Sequence, residues 1–377
     1  MTTYLLLEKD AVTKTQLSPT ISQYNTLLLA SPSGLTCPCE HASIGYREFT
    51  TLNVTYHQVC SSEFISEEWI DFLFGDVKWH RFPRKDMRIR AGAYFRLLSI
   101  LCQLGQETVT KSVDEFLSRK FFTSEVTSEN QLFVQMNQMI QQLQTSISQE
   151  FSSTIQLVGD FAQANTFVSS YNLNWNHRLL ELTANLQLTP MPVLLNGLCS
   201  CAFRSDCSEA AMIMSSSSDI DDFVVSGWKI SCSVLETLLQ SSLECFFTQD
   251  CLDLFLIHYN LIVTNSKYYQ HSLIAMNQFV YSRFNISIPI RYIVNELFIE
   301  EWHSQLSYDN YYQQCKPSQC SYKVDEKRHI IMVVTRLLGL YGGLRVSLRL
   351  VSPRIMSLFF RIENFFLTKL RISTRQP

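Results

Sequence analysis

The sequence predicts an α+β protein, a predominantly helical, disulfide-rich ectodomain followed by a C-terminal transmembrane helix. Three observations predict it. Twelve cysteines, an even number, lie mostly beside turn-like sequence. The longest amphipathic stretches repeat their apolar residues at spacings of three and four. A weakly charged apolar run, "IIMVVTRLLGLYGGLRVSLRLV", spans 330 to 351, about the length that a ~30 Å hydrocarbon core requires.

Composition sets the outer bounds. Hydrophobic content of 46% against 17% charged residues excludes general disorder in a chain of 377 residues. The net charge of −3 hides a segregation: residues 329–377 carry eight Arg or Lys and one acid, Glu363. That leaves 23 basic and 33 acidic residues elsewhere, a net of −10. An acidic body with a basic tail fits a membrane protein whose C-terminus is cytoplasmic. The other reading is a soluble protein with a basic terminal helix.

The organisation expected is an N-terminal segment at 1–34, a cysteine-rich ectodomain at 35–325, a transmembrane helix at 329–352 and a basic cytoplasmic tail at 353–377. The opening "MTTYLLLEKDAV" has too short an apolar run for a secretory signal. Residues 43–59 read as extended, with Leu52, Val54 and Tyr56 alternating with Asn53, Thr55 and His57, which places Cys60 on the inner face. A helix follows over 84–104, stopped by Gly105. Ser128 and Gln131 form a capping box ahead of a long helix whose stripe is Leu132, Met136, Met139, Leu143, Ile147, Phe151, Ile155 and Val158. Leu182, Ala184, Leu186 and Leu188 read as a strand ended by Pro190 and Pro192. Short buried helices are expected around Val234–Leu239 and Ile290–Phe298, and one compact body spans about 35 to 310.

The C-terminal run is not uniformly apolar. Arg336, Arg345 and Arg349 would each cost about 2.5 to 3.5 kcal/mol near a bilayer centre. Gly339 and Gly343, with Gly342 beside them, form a small-residue surface on which another helix can pack, including that of a second copy. The alternative is a basic amphipathic helix on a membrane surface or on another protein. Just upstream, "YYQQCKPSQCSY" places Cys315 and Cys320 around a proline-containing loop short enough to close on itself. Tyr308, Tyr311, Tyr312 and Tyr322 are expected at headgroup level.

The disulfide candidates are Cys37, Cys39, Cys60, Cys199, Cys201, Cys207, Cys232, Cys245, Cys251, Cys315 and Cys320; Cys102 falls in the helical stretch and is left out. The C-x-C pairs 37/39 and 199/201 are expected to bond elsewhere rather than to themselves. Cys37, Cys39, His57 and Cys60 form a zinc alternative, weakened because His57 and Cys60 face opposite sides of the strand, so no metal ligand set is assigned. Two sequons, at Asn53 and Asn285, are glycosylation candidates.

No catalytic motif is present, so no catalytic residue and no cofactor is assigned and the chain is read as a non-enzyme. Glu67-Glu68 and Glu300-Glu301 read as solvated helix surfaces, and "DIDD" at 219–222 lacks the glycine of a calcium loop. The basic run 78–90, with Trp79 and Phe82, reads as an exposed helix start. The acidic remainder argues against nucleic acid as a partner.

As a set, "LTCPCEHASIGY", "YHQVCSSEFISEEWIDFL", "GLCSCAFRSDC", "LETLLQSSLECFFTQDC" and "YYQQCKPSQCSY" followed by "GLYGGL" resemble a large uncharacterised invertebrate family of membrane-anchored proteins. The resemblance runs from about Ser18 to Phe360. It implies a cysteine-rich ectodomain held by hydrophobic segments before and after it, and no activity. The chain departs from that pattern in its N-terminal segment and in the arginines of its final span. The function expected is a membrane-anchored surface protein, body extracellular, that binds membrane lipid and a protein partner. The alternatives are an ion-channel subunit similar in layout to the epithelial sodium channel, and a tail-anchored protein facing the cytosol.

Overall fold

The structure is a computed structural model that describes residues 9–30, 34–75, 83–164, 173–182, 185–214, 222–260, 273–327 and 330–373. It is α+β, predominantly helical, and carries six disulfides. The chain divides into two compact units. One comprises 1–42, 123–126 and 315–377, the other 43–122 and 127–314.

The smaller unit is built on a strand pair. Lys9–Leu17 runs antiparallel to Gln319–Lys327, with Lys14 opposite Tyr322 and Gln16 opposite Cys320. Bridges at Thr36–Ser321, Cys39–Pro317 and Pro38–Glu125 lay the segment around Cys37 alongside them. Helices Ile21–Ala30 and Ile330–Ser373 belong to the same unit.

The larger unit is organised around helix Ala91–Ser118, whose buried positions Tyr94, Phe95, Leu98, Leu101, Cys102, Gly105 and Val109 recur every three or four residues. Phe95 stacks on Trp228 at 5.4 Å and meets Phe246 edge-on at 5.0 Å, and Phe64 and Trp69 pack against the same ring. Burying each such side chain stabilises by about 1.5 to 3 kcal/mol, so this cluster fixes helix Glu67–Phe74, helix Ala91–Ser118 and strand Phe223–Ser231 together. The long helix Glu129–Ala164 starts where the capping box predicts, with Leu132 N–H donating to Ser128 O at 2.9 Å. Its buried stripe is Leu132, Met136, Ile140, Ile147, Phe151 and Ile155, so Ile140 takes the place expected for Met139, and Val158 is exposed.

Several expectations change. Gly105 does not stop its helix, which runs thirteen residues further to Ser118. A Cβ there would lie 3.4 Å from Leu297 O, so the glycine serves close packing. The extended stretch 43–59 is interrupted by a helical turn, Tyr46–Phe49, and the strand proper is Thr50–Tyr56, paired antiparallel with Ile299–Leu306. The helix at Ile290 ends at Asn295, because Leu297 and Phe298 take left-handed conformations with φ of 51° and 59° and turn the chain into that strand. Strands Trp175–Leu182 and Asn185–Pro192 pair across the region expected to hold one strand, but Ala184 and the side chains of 177–188 lie outside the described residues. The basic run is not an exposed helix start in its described half. Arg88 and Arg90 are buried, and Arg88 holds Asp86 at 2.6 Å while donating to Met214 O. Trp79 and Phe82 lie outside the described residues.

Strand Phe223–Ser231 breaks register between Val224 and Lys229, and Gly227 sits in the break with φ +75°. A Cβ at Gly227 would lie 2.1 Å from Ser242 Oγ, whereas one at Gly197, also left-handed at φ +68°, would meet nothing within 4 Å. Gly227→Ala is therefore expected to lower stability by about 2 kcal/mol or more, and Gly197→Ala by about 1 kcal/mol, in urea midpoints measured with disulfides intact. Equal effects at the two positions would refute the packing account.

Candidate functional site

In the smaller unit the two disulfides Cys37–Cys320 and Cys39–Cys315 lie side by side, with Cα atoms 4.2 and 4.7 Å apart. Cys37 and Cys39 are two residues apart in an extended segment, so both point the same way. The facing segment turns at Lys316, which has φ +45°, and takes up three extra residues between its own cysteines. This corrects the expected Cys315–Cys320 bridge: each cysteine of that loop meets one of the C-x-C pair instead. Lys316 Nζ lies 3.2 Å from a Glu40 carboxylate oxygen, and Glu40 N–H donates to Cys315 O at 2.8 Å.

In the larger unit the pairs are Cys60–Cys102, Cys199–Cys207, Cys201–Cys232 and Cys245–Cys251. Cys102 joins the set, correcting its omission. Its helical position gave no turn signal, yet it faces Cys60 across the core. Both C-x-C pairs bond elsewhere, as expected. All four positions of the zinc alternative are accounted for without metal, since Cys37, Cys39 and Cys60 are in disulfides and His57 is an internal hydrogen-bonded residue.

The tyrosines in and just before "YYQQCKPSQCSY" are not a surface collar. Tyr308, Tyr311 and Tyr312 are buried, and Tyr322 is half-buried. Tyr311 packs edge-on against Phe49 and Phe121, and its hydroxyl accepts from Thr127 N–H at 3.0 Å. Tyr308 Oη donates to Thr127 O at 3.1 Å. Their spacing on helix Tyr308–Cys315 gives an inward face, which composition alone did not distinguish from a headgroup belt.

Asn53 and Asn285 both have exposed side chains. Asn53 sits on strand Thr50–Tyr56 opposite His303, and Asn285 Oδ1 accepts from Ser287 N–H at 3.0 Å. Glu67 pairs with Arg96 at the start of its helix. Glu300 and Glu301 lie on a strand rather than a helix. Asp219, Ile220 and Asp221 are outside the described residues.

The C-terminal element is one helix of 44 residues, Ile330–Ser373, with Pro353 inside it. At about 1.5 Å per residue it is about 66 Å long. One helix therefore covers both the expected span and the start of the expected tail, continuing through the proline. Each twenty-residue window of 331–365 contains at least three arginines, an insertion cost of about 8 to 10 kcal/mol if all sit near a bilayer centre. Among the described residues no helix is long and apolar enough to cross a membrane. Gly339, Gly342 and Gly343 are exposed, and a Cβ on any of them would meet nothing within 4 Å.

One arrangement escaped sequence reasoning. His57 is buried, its Nδ1 accepting from Val59 N–H at 3.2 Å and its Nε2 lying 4.0 Å from Glu300 Oε1. Glu300 also accepts from Ser282 Oγ at 2.7 Å and Arg283 N–H at 2.8 Å. Burial lowers the imidazole pKa below its usual 6.5, more than the facing carboxylate raises it. His57 and Glu300 are 243 positions apart, and only the strand pairing brings them together. Among the described residues no group of three or more His, Cys, Asp or Glu side chains is placed to hold a metal ion.

Because the folded-state pKa of His57 lies below its unfolded value, the unfolded chain binds more protons as the pH falls below about 6.5. Stability is full above that pH and declines as the pH drops toward the folded pKa. His57→Gln should flatten this part of the stability profile, and an unchanged slope would exclude His57 as its source. The paired staples give a second expectation, because either one alone still closes the long loop. Removing one with Cys→Ser at both ends should cost about 2 kcal/mol, and removing both about 6 to 8 kcal/mol. Costs that simply add would refute a shared loop. Comparison of the chain with protein-family models, with curated proteins and with solved structures gave no match.

Proposed function

We propose that the chain is a membrane-attached surface protein whose disulfide-stapled body faces an oxidising, extracellular compartment and binds a protein partner without chemistry of its own. The observation that carries this reading is that all twelve cysteines are paired and none is free. Reducing compartments keep thiols open, so six bridges in a body of this size favour the secretory side over the cytosol-facing, tail-anchored alternative. Attachment falls to the basic, apolar helix that follows the two staples, and the acidic balance of the rest argues against nucleic acid. Partner binding is supported by Ile274, Phe279, Val280 and Tyr281, four large apolar side chains exposed within eight residues of the larger unit. A channel role requires a helix across the bilayer, and no observation favours it.

The test is made on chain isolated from its native cells. Alkylation before reduction should label no cysteine, and alkylation after reduction should label all twelve. Glycosidase treatment should raise gel mobility, and the shift should vanish in Asn53→Gln with Asn285→Gln. Twelve thiols open before reduction, together with no glycan, would place the body in a reducing compartment and end this reading.

A further inference from the structure

One face of the C-terminal helix is apolar throughout, although Val346 and Leu350 stand on the opposite side. Between 337 and 362 every residue within an arc of about 100° is apolar, marked by Leu337, Tyr341, Leu344, Leu348, Ile355 and Ile362. The arginines stand on both flanks of that arc, with Arg336, Arg354 and Arg361 on one side and Arg345 and Arg349 on the other. Along the Arg336 flank, Gly343, Ser347 and Ser357 extend the polar stripe. All five arginines are exposed, and most of the apolar face is exposed as well.

We infer that this helix lies in the plane of a bilayer surface, its apolar face in the acyl boundary and its arginines at the level of anionic phospholipid headgroups. The inference rests on the membrane-attachment reading and adds the orientation and the lipid class. Charge complementarity selects this occupant. Residues 331–365 carry five arginines and one acid, Glu363, so a second copy brings more positive charge and no set of carboxylates to pair with it. A spanning orientation would sink Arg345 and Arg349 where an in-plane one leaves them at the interface.

The test uses the purified full chain with its disulfides intact. Flotation with vesicles of phosphatidylcholine containing phosphatidylserine should exceed that with phosphatidylcholine alone by about tenfold and weaken with salt. Arg354→Glu with Arg361→Glu should lower binding to the anionic vesicles by about tenfold, while all twelve thiols stay protected. Depth is read by brominated-lipid quenching of added tryptophans. Leu337→Trp, Leu348→Trp and Ile362→Trp should report the same shallow depth, and Ser357→Trp, on the far side of the helix, should report almost no quenching. Depth that changes steadily from 337 to 362 would mean a spanning helix and overturn the inference. Equal binding to neutral and anionic vesicles overturns it too. So does failure to float combined with self-association abolished by Leu344→Asp, which would make a second copy the occupant. A chain that stays on cell membranes yet does not bind these vesicles overturns this inference alone, whereas a chain recovered free of cell membranes overturns the attachment reading beneath it.

Discussion

The paired disulfides at 37–320 and 39–315 are the constraint on which the smaller unit depends. They join segments 283 and 276 residues apart in sequence, and closing a loop of that length removes about 5 to 6 kcal/mol of denatured-state entropy. The strand pair Lys9–Leu17 with Gln319–Lys327 brings together segments far apart in sequence, a contact with high closure cost and few buried side chains to offset it. Two adjacent covalent links lift that cost, and the second adds angular definition where the first adds proximity. The helix that begins at Ile330 follows three residues after the strand they anchor.

In the larger unit, burial does most of the same work. Phe64, Trp69, Phe95, Trp228 and Phe246 form a ring cluster in tilted, stacked and edge-on contacts, and the bridges there close shorter loops, from 6 to 42 residues. Three of these four sit on turn-rich sequence. Cys60–Cys102 is different, since it ties the helix Ala91–Ser118 to the end of the strand Thr50–Tyr56 inside the core. Two charged groups taken inside are matched. Asp86 accepts from the Arg88 side chain and from Met214 N–H, and Glu300 faces His57 while accepting two further hydrogen bonds. Breaking either set would leave a buried charge without partners, at greater cost than any one hydrogen bond is worth.

The C-terminal helix follows a different balance. Its apolar residues are numerous enough to suggest a span, and its arginines frequent enough to oppose one. What decides between the two is angular position rather than composition. Arg336, Arg354 and Arg361 fall at intervals of 18 and 7, five turns and two turns, so they return to one side of the helix. Arg345 and Arg349 stand on the other flank.

Much of the architecture was legible in the amino-acid sequence because it rests on local chemistry. The α+β class, the start of the helix at Ser128, the buried helix Val234–Gln240, and the outward bonding of both C-x-C pairs follow from caps, spacing and alternation within a few residues. What depended on distant partners was not legible. Cys102 gave no sign that Cys60 faces it, Gly105 looked like a helix stop because Leu297 lies 192 positions away, and Tyr311 looked interfacial because Thr127 and Phe49 are remote. The sequence by itself determined which residues are apolar, capped, turn-forming or able to bond through sulfur. Only the tertiary structure decided which of them meet, because pairing across long loops is set by the packing of whole strands and helices and not by any residue's own preference.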